Sequence, residues 1–168
     1  PEERRREHSF ATLARIVVGQ QISVSAAASV TTKLLASLGG DLTAEAVLRV
    51  DETTLRSAGL SRQKVEYMRC LATAEATHVL SLEALPSLSD DEAIRAITQI
   101  KGFGDWSAQM YLMFSLGRPN IWPVGDLAVR EGFKRIHGLE ERPTIGQLGA
   151  LGEPYQPHRS ASVSYTHL

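Results

Sequence analysis

The sequence predicts an all-α protein, and three observations lead to this class. Apolar residues recur at helical spacing through nearly every segment, whereas no stretch shows the strict alternation of a β-strand. Short breaks that contain glycine or proline end these stretches, as at Gly39-Gly40. A chain of 168 residues, 43% of them hydrophobic, can bury one substantial core. We therefore expect residues 1–168 to form a single helical domain made of two lobes.

The N-terminal half predicts five helices. Apolar residues from Phe10 onward form the first amphipathic helix, which ends near Gly19. Ser23 or Ser25 could cap an alanine-rich second helix that runs to Leu38. The small side chains of this second helix predict that a neighbour packs closely against it. The N-caps of the next three helices are predicted to be Thr43, Asp51 and Ser61.

A pair of helices joined by a tight turn is predicted at about residues 94–116. Ser89-Asp90-Asp91-Glu92 has the spacing of a capping box, in which serine and the glutamate three residues later satisfy each other's amides. The helix that it opens runs directly into Gly102-Phe103-Gly104. Its inward-facing residues are predicted to be Ile94, Ile97 and Ile100.

The helix after this turn differs from the others. From Trp106 to Leu116 it is apolar on nearly every side, which is typical of a buried central helix. Asp126 then stands where an N-cap belongs, before a helix that stops at Gly138. Thr144 and Gln147 have the spacing of a second capping box.

Composition and charge exclude several classes of protein. No apolar run approaches the roughly 20 residues that span a bilayer, and the charged N-terminus lacks a signal-peptide core, so an intracellular protein is expected. The single cysteine, Cys70, excludes an internal disulfide framework and a four-cysteine zinc or iron–sulfur site. A net charge of −1 counts against holding nucleic acid by bulk electrostatics. Any nucleic-acid contact must then use helix N-termini, backbone amides and a few basic residues.

The glycine turn can approach a phosphate closely. Gly102 and Gly104 permit positive φ and leave backbone N–H groups uncovered, and the next helix adds the partial positive charge of its N-terminus. Lys101 could add a charged contact. The alternative is that the turn merely ends one helix and begins another. Asp126 adds a carboxylate at the start of a later helix, and this combination of a phosphate-binding turn and a carboxylate favours an enzyme that acts on DNA.

Three motifs in this order carry a resemblance to a known family. They are Gly19-Gln20-Gln21-Ile22-Ser23-Val24, Gly102–Ala108, and Gly117-Arg118-Pro119 followed by Pro123–Leu127. Together they resemble the helix-hairpin-helix Gly/Pro…Asp superfamily of DNA glycosylases, most of all its 3-methyladenine DNA glycosylase II branch. The similarity spans roughly Phe10 to Arg142.

The resemblance implies a fold and a reaction. The expected fold has two helical lobes with the site in the cleft between them. The expected activity is hydrolysis of the N-glycosidic bond of alkylated purines after base flipping, in base excision repair. The partner would be double-stranded DNA with alkylated bases, bound by a monomer that needs no cofactor and no membrane. Such a protein would lie in the cytoplasm or nucleoid of a bacterium, or in a eukaryotic nucleus.

The resemblance also assigns chemistry to single residues. Asp126 matches the catalytic aspartate, which would stabilise an oxocarbenium-like sugar or activate water, although a simple N-cap is the alternative. Trp106 stands where strand-cutting relatives carry a Schiff-base lysine, so a glycosylase without lyase activity is expected. Trp106 and Met110 would line the base pocket, where the tryptophan ring attracts a cationic alkylated base. The alternative for Trp106 is a core position.

The DNA contacts follow from the same comparison. Gln21 matches the wedge that fills the gap left by the flipped base, and Gln20 is its neighbour; a helix cap is the alternative for this pair. Lys101 and the turn Gly102-Phe103-Gly104 would contact the DNA backbone. Carbonyls of the turn could hold a monovalent cation, and no other metal is predicted.

The resemblance weakens near the C-terminus. Tyr155–Ser160 resembles the start of the family's last segment, but residues 162–168 depart from it, so we expect a truncated or replaced last helix. Arg4-Arg5-Arg6 is flanked by glutamates and is interpreted as a solvated helix face. Two other hypotheses stay open at this point: a non-catalytic DNA-binding hairpin, and a helical scaffold that binds no DNA.

Overall fold

The prediction of an all-α protein is confirmed. The structure is a computed structural model that describes residues 6–166, and this part of the chain contains helices and no β-strand. Short 3₁₀ helices lie at Leu85–Ser87 and Glu153–Tyr155. The α-helices are α1 Phe10–Gly19, α2 Val24–Ser37, α3 Ala44–Arg49, α4 Glu52–Ser57, α5 Arg62–Ala76, α6 Asp90–Thr98, α7 Asp105–Phe114, α8 Leu127–Ile136, α9 Ile145–Leu151 and α10 Arg159–Thr166.

The described residues divide into two compact units, in agreement with the expected two lobes. The N-terminal unit, residues 6–104, contains α1 to α6, and the C-terminal unit begins at Asp105 and contains α7 to α10. The boundary falls between Gly104 and Asp105, inside the predicted turn. Residues on the two sides of this turn therefore belong to different cores.

Helix α5 organises the core of the N-terminal unit. It packs against α1, α3 and α4, and it contributes the fully buried side chains of Met68 and Leu71. Burying a side chain of this size stabilises the fold by about 1.5–3 kcal/mol relative to exposing it. Predicted N-caps start the surrounding helices: the side chains of Ser23, Thr43, Asp51, Ser61 and Ser89 each accept a backbone N–H three residues ahead.

The expectation for the alanines of α2 is wrong. Ala26 and Ala28 are exposed, and within this helix only Leu34 is buried. Helix α2 contacts α1 and α4, but these exposed alanines do not mediate that packing. Alanine has the highest intrinsic helix propensity, so they support the helix itself. The alanines of α2 therefore indicate helix formation and not close packing of a neighbouring helix against them.

The entry to the predicted turn is built as expected. Ser89 and Glu92 form the capping box, with the Glu92 carboxylate accepting the Ser89 N–H at 2.9 Å. On α6 Ile97 is buried and Ile94 is half-buried, and Ile100 is buried just beyond the helix end. This apolar face fixes the helix that leads into the turn.

In the C-terminal unit, α8 packs against α10, and α7 is the helix predicted to be buried. Ala108, Tyr111 and Leu112 are fully buried, as its apolar sequence requires. Helix α10 is joined to the loop after α7 through Ser160, whose hydroxyl donates to the Arg118 carbonyl at 2.7 Å and accepts the Ile121 N–H at 2.9 Å. Helix α10 is therefore tied to its unit near its start.

An aromatic cluster fills the other side of this unit. Trp122 stacks on Tyr155 with ring centroids 5.8 Å apart, and it meets Phe133 edge to face at 6.3 Å. The indole N–H of Trp122 donates to the Leu148 carbonyl at 2.8 Å. Gly152 lies directly against this indole, because a Cβ added there would be 2.2 Å from its nitrogen.

Within residues 6–166, no helix is both long and apolar enough to cross a membrane. Arg4 and Arg5, which the sequence predicts to be part of a solvated helix face, lie outside the described residues. The last two residues of the divergent tail, 167 and 168, also lie outside them.

We predict that Gly152→Ala destabilises the protein. The new Cβ would collide with the indole of Trp122, which is fixed by its hydrogen bond and ring contacts, so we expect the free energy of unfolding to fall by about 1–3 kcal/mol. Urea unfolding monitored by circular dichroism measures this change.

The matched control is Gly149→Ala in α9, where an added Cβ meets no atom within 4 Å. Alanine is the better helix former, so this variant should be unchanged or up to about 1 kcal/mol more stable. Equal losses of stability in both variants would contradict the packing of Gly152 against Trp122.

Candidate functional site

Asp126 is placed at the start of α8 by a tight turn. Its backbone N–H donates to the Pro123 carbonyl at 2.9 Å, and its side-chain Oδ1 accepts the Val129 N–H at 3.0 Å. The residue is 6% exposed. The N-cap predicted for Asp126 is therefore present, and one of its two carboxylate oxygens makes it.

The other oxygen of Asp126 faces Trp106. The indole Nε1–H of Trp106 donates to Asp126 Oδ2 at 2.5 Å. Two N–H donors and a helix N-terminus thus surround the carboxylate and stabilise negative charge at this position. The structure brings together the two residues that the sequence singled out most strongly, within one unit.

Trp106 is not a core residue, so that alternative is wrong. It lies in the first turn of α7 and its side chain is 44% exposed, whereas Met110, one turn further on, is 7% exposed. The buried part of α7 begins after Trp106, which explains why an apolar sequence did not bury this ring. An open indole face therefore adjoins the carboxylate, and Met110 lies beneath the surface.

The turn before α7 depends on Gly102. Its φ is +96°, and a Cβ added there would lie 2.2 Å from Cγ of Tyr67. Both the backbone conformation and the contact with Tyr67 exclude a side chain. Gly104 differs, since its φ is not positive and an added Cβ would meet no atom within 4 Å. The main chain at Gly104 is therefore uncovered, whereas the ring of Tyr67 covers the main chain at Gly102.

Phe103 supports the turn from inside. Its side chain is buried, and its N–H donates to the Ile100 carbonyl at 3.0 Å. The aromatic ring thus belongs to the core and not to an exposed contact surface. The contact of Phe103 with a DNA backbone stays a prediction, and because the side chain is buried, only main-chain atoms could make this contact.

Lys101 forms an ion pair. Its Nζ lies 2.5 Å from Oε1 of Glu66, and the hydrogen bond and charge of Glu66 raise the pKa of Lys101. Both side chains are more than half exposed, so solvent screens the pair. A phosphate at the turn would have to compete with Glu66 for this ammonium group.

Gln20 and Gln21 follow α1 and differ in what they contact. Gln21 is exposed and has a φ of +58°, a left-handed conformation that costs a non-glycine residue about 1–3 kcal/mol. The side chain of Gln20 leaves the helix end and donates from Nε2 to the Gly102 carbonyl at 2.8 Å. The helix-cap alternative is confirmed for Gln20, which is the C-cap of α1: its backbone N–H donates to the Val17 carbonyl at 3.3 Å. Ser23 caps the start of α2.

Sequence reasoning missed two residues of α5 that hold this region. Tyr67 packs against Gly102, and Lys64 donates from Nζ to the Val18 carbonyl at 2.6 Å. Partial burial of Lys64 lowers the pKa of its ammonium group. No local pattern predicts contacts across such sequence separations, because the period of α5 identifies only its apolar face.

The predicted monovalent cation would use carbonyl groups of the turn. Two of them already accept hydrogen bonds: the Ile100 carbonyl from Phe103 N–H, and the Gly102 carbonyl from Gln20. A carbonyl oxygen has a second lone pair that can still coordinate a cation. The cation stays a prediction.

Comparison with known proteins gives one consistent family. The model of the HhH-GPD superfamily base excision DNA repair protein matches residues 14–157. Over 163 residues the chain is 31% identical to DNA-3-methyladenine glycosylase 1 of Schizosaccharomyces pombe, covering 95% of this chain and 72% of that protein. It is 28% identical to the putative DNA-3-methyladenine glycosylase YfjP of Bacillus subtilis, covering 90% of this chain and 55% of that protein. The chain thus spans about half of YfjP.

Solved structures agree with the sequence matches. A DNA-3-methyladenine glycosidase from Bacillus halodurans superposes with a TM-score of 0.88 at 31% identity, covering 97% of this chain and 75% of that chain. The Schizosaccharomyces pombe 3-methyladenine DNA glycosylase Mag1, in complex with abasic DNA, gives a TM-score of 0.86 at 31% identity, covering 94% and 78%.

We predict that Gly102→Ala lowers the free energy of unfolding by about 1–3 kcal/mol. The strain has two sources, the positive φ and the ring of Tyr67, and neither can relax without moving the turn. Gly104→Ala is the matched control and should change stability by less than about 0.5 kcal/mol, because its added Cβ meets open space. A Gly104→Ala loss as large as that of Gly102→Ala, in urea unfolding, would contradict this assignment.

Proposed function

Because the chain belongs to the HhH-GPD superfamily of base excision DNA repair proteins, we propose that it is a monofunctional DNA glycosylase that removes alkylated purines from duplex DNA. The observation that carries the proposal is the buried carboxylate of Asp126 with the exposed ring of Trp106 hydrogen-bonded to it. The substrate class is supported by the relatives, since the proteins from Schizosaccharomyces pombe and Bacillus halodurans are both named for 3-methyladenine.

In the proposed reaction the bond between the sugar C1′ and the base nitrogen breaks, and its electron pair leaves with the base. Water adds at C1′ as the new hydroxyl group and releases one proton to the solvent, and the product is an abasic site in an intact strand. The sugar passes through an oxocarbenium-like state, which a nearby negative charge stabilises. A cationic alkylated base is already a good leaving group, so the proposal requires no general acid.

Asp126 would supply that negative charge. Its oxygens accept N–H groups from Val129 and from Trp106, so the orientation of the carboxylate is set before substrate binds. A preorganised charge does not have to reorient as the sugar becomes positive. The same two donors that make Asp126 a good N-cap therefore make it a well-placed catalytic group.

Trp106 would serve the base. The carboxylate fixes one edge of the indole, and the exposed face remains free to meet a ring that carries positive charge. Such a cation–π contact contributes about 0.5–2 kcal/mol. Met110 would close the pocket from below. Because an indole has no amine, no Schiff base can form through this residue.

The turn and the residues after α1 would contact the DNA. The open main chain at Gly104 forms the proposed phosphate site, to which Lys101 would add a charge. Gln21 would enter the duplex in place of the flipped base. We further propose that the protein acts as a monomer.

We predict that Asp126→Asn abolishes excision and keeps DNA binding. Asparagine retains an oxygen that can accept the Val129 N–H, so the helix cap and the fold should survive while the charge is lost. Single-turnover excision should fall by about 100-fold or more. The measurement is base release from duplexes that each carry one lesion: 3-methyladenine, 7-methylguanine, ethenoadenine or hypoxanthine.

Two outcomes would contradict this assignment in different ways. Unchanged excision by Asp126→Asn would remove Asp126 from the chemistry. Binding of abasic DNA without excision of any lesion by the wild-type protein would favour a non-catalytic DNA-binding module.

We also predict that the protein does not cut the DNA strand. After excision, labelled DNA should remain full-length until hot alkali is added, and borohydride should trap no covalent complex, because Trp106 provides no amine. A lysine-dependent glycosylase run in parallel is the positive control. A borohydride-trapped complex with the wild-type protein would overturn the monofunctional assignment.

A further inference from the structure

The connection between α1 and α2 is held at two places by side chains that reach main-chain carbonyls. Lys64 of α5 donates to the Val18 carbonyl near the end of α1, at 2.6 Å. Gln20 donates to the Gly102 carbonyl at 2.8 Å. All of these groups belong to the N-terminal unit. The last turn of α1 is therefore fixed to α5, and Gln20, the first residue after α1, is fixed to the glycine turn.

Between these contacts and α2 lies the strained residue Gln21. It has a φ of +58°, and its side chain is exposed. A residue in this conformation persists only where the surrounding structure determines it, and such residues are concentrated at functional sites. The side chain of the preceding residue, Gln20, is held by its hydrogen bond to the Gly102 carbonyl.

We propose that Gln20 and Lys64 are positioning residues that hold Gln21 ready for insertion into DNA. The inference rests on the proposed function, in which Gln21 fills the gap left by the flipped base. A wedge on a mobile loop would lose conformational freedom each time it entered the duplex. Gln20 and Lys64 order the loop before DNA binds, so insertion of Gln21 costs less.

The glycine turn is part of the same arrangement. Tyr67 packs against Gly102, the Gly102 carbonyl accepts Gln20, and Gln21 follows in the chain. Both Tyr67 and Lys64 lie on α5, so one helix supports the turn and the wedge together. The proposed phosphate contact and the proposed wedge are thereby kept at a fixed separation within one unit.

The test uses Gln20→Met, which keeps nearly the same shape, adds no charge and removes the N–H donor. Single-turnover excision is measured on a lesion paired in a duplex and on the same lesion in single-stranded DNA, where no partner base has to be separated. We expect a loss of at least about 10-fold on the paired lesion and of less than about 3-fold on the single strand. Lys64→Met should likewise lower the excision rate more on the paired lesion than on the single-stranded lesion.

A double-mutant cycle shows whether Gln20 acts through Gln21. Gln21→Ala should reduce excision of the paired lesion, and adding Gln20→Met to it should cause little further loss. Gln99→Met is the matched control, since Gln99 also donates from Nε2 to a main-chain carbonyl, that of Val79, but has no link to the α1–α2 connection. Its excision rates should equal those of the wild type.

A second measurement separates this inference from the proposed function. A duplex with an abasic-site analogue next to 2-aminopurine reports insertion of a side chain by a fluorescence change, without any catalysis. The wild type and Gln99→Met should give the change, and Gln20→Met and Gln21→Ala should lose most of it. If the wild type excised no lesion but this fluorescence pattern were still observed, only the proposed enzyme activity would be overturned. Equal losses of Gln20→Met on paired and single-stranded lesions, or additive effects with Gln21→Ala, would overturn the positioning role.

Discussion

The absence of a side chain at Gly102 is the constraint on which the glycine turn and the α1–α2 connection depend. The ring of Tyr67 occupies the space that a Cβ would need, and the Gly102 carbonyl accepts the side chain of Gln20. Glycine is therefore required here for packing and for the positive φ. The left-handed Gln21 is the next residue along the chain from Gln20. One missing methyl group thus couples the turn, the α1–α2 connection and α5.

In the C-terminal unit, Asp126 is the residue on which the proposed chemistry depends. A capping aspartate is normally explained by helix stability alone, which is worth about 1 kcal/mol. Here only Oδ1 is used for capping, while Oδ2 meets the indole of Trp106. The structural role and the proposed chemical role therefore do not compete for the same atom. Burial strengthens both interactions, since an electrostatic contact gains energy as water is excluded.

The helices, their caps and the family could be predicted from the sequence, because each depends on local spacing or on contiguous motifs. Ser89 with Glu92 and the buried part of α7 are examples. What could not be predicted depends on contacts between distant residues. The hydrogen bond from Gln20 to Gly102 and the packing of Tyr67 have no local signal. Alanine composition in α2 was misleading because the same residue favours both helix formation and close packing, and only the first applies here.

A chain with a net charge of −1 gains little from the counterion release that drives most DNA binding. The described basic groups near the proposed contacts are already engaged, Lys101 by Glu66 and Lys64 by the Val18 carbonyl. Affinity for DNA must then come from oriented main-chain amides and from insertion of a side chain into the duplex. Both depend on geometry more than on charge, and both lose their value if the turn is mobile. For the proposed function, a fixed turn at Gly102 is therefore the physical requirement for a nearly neutral protein to act on DNA.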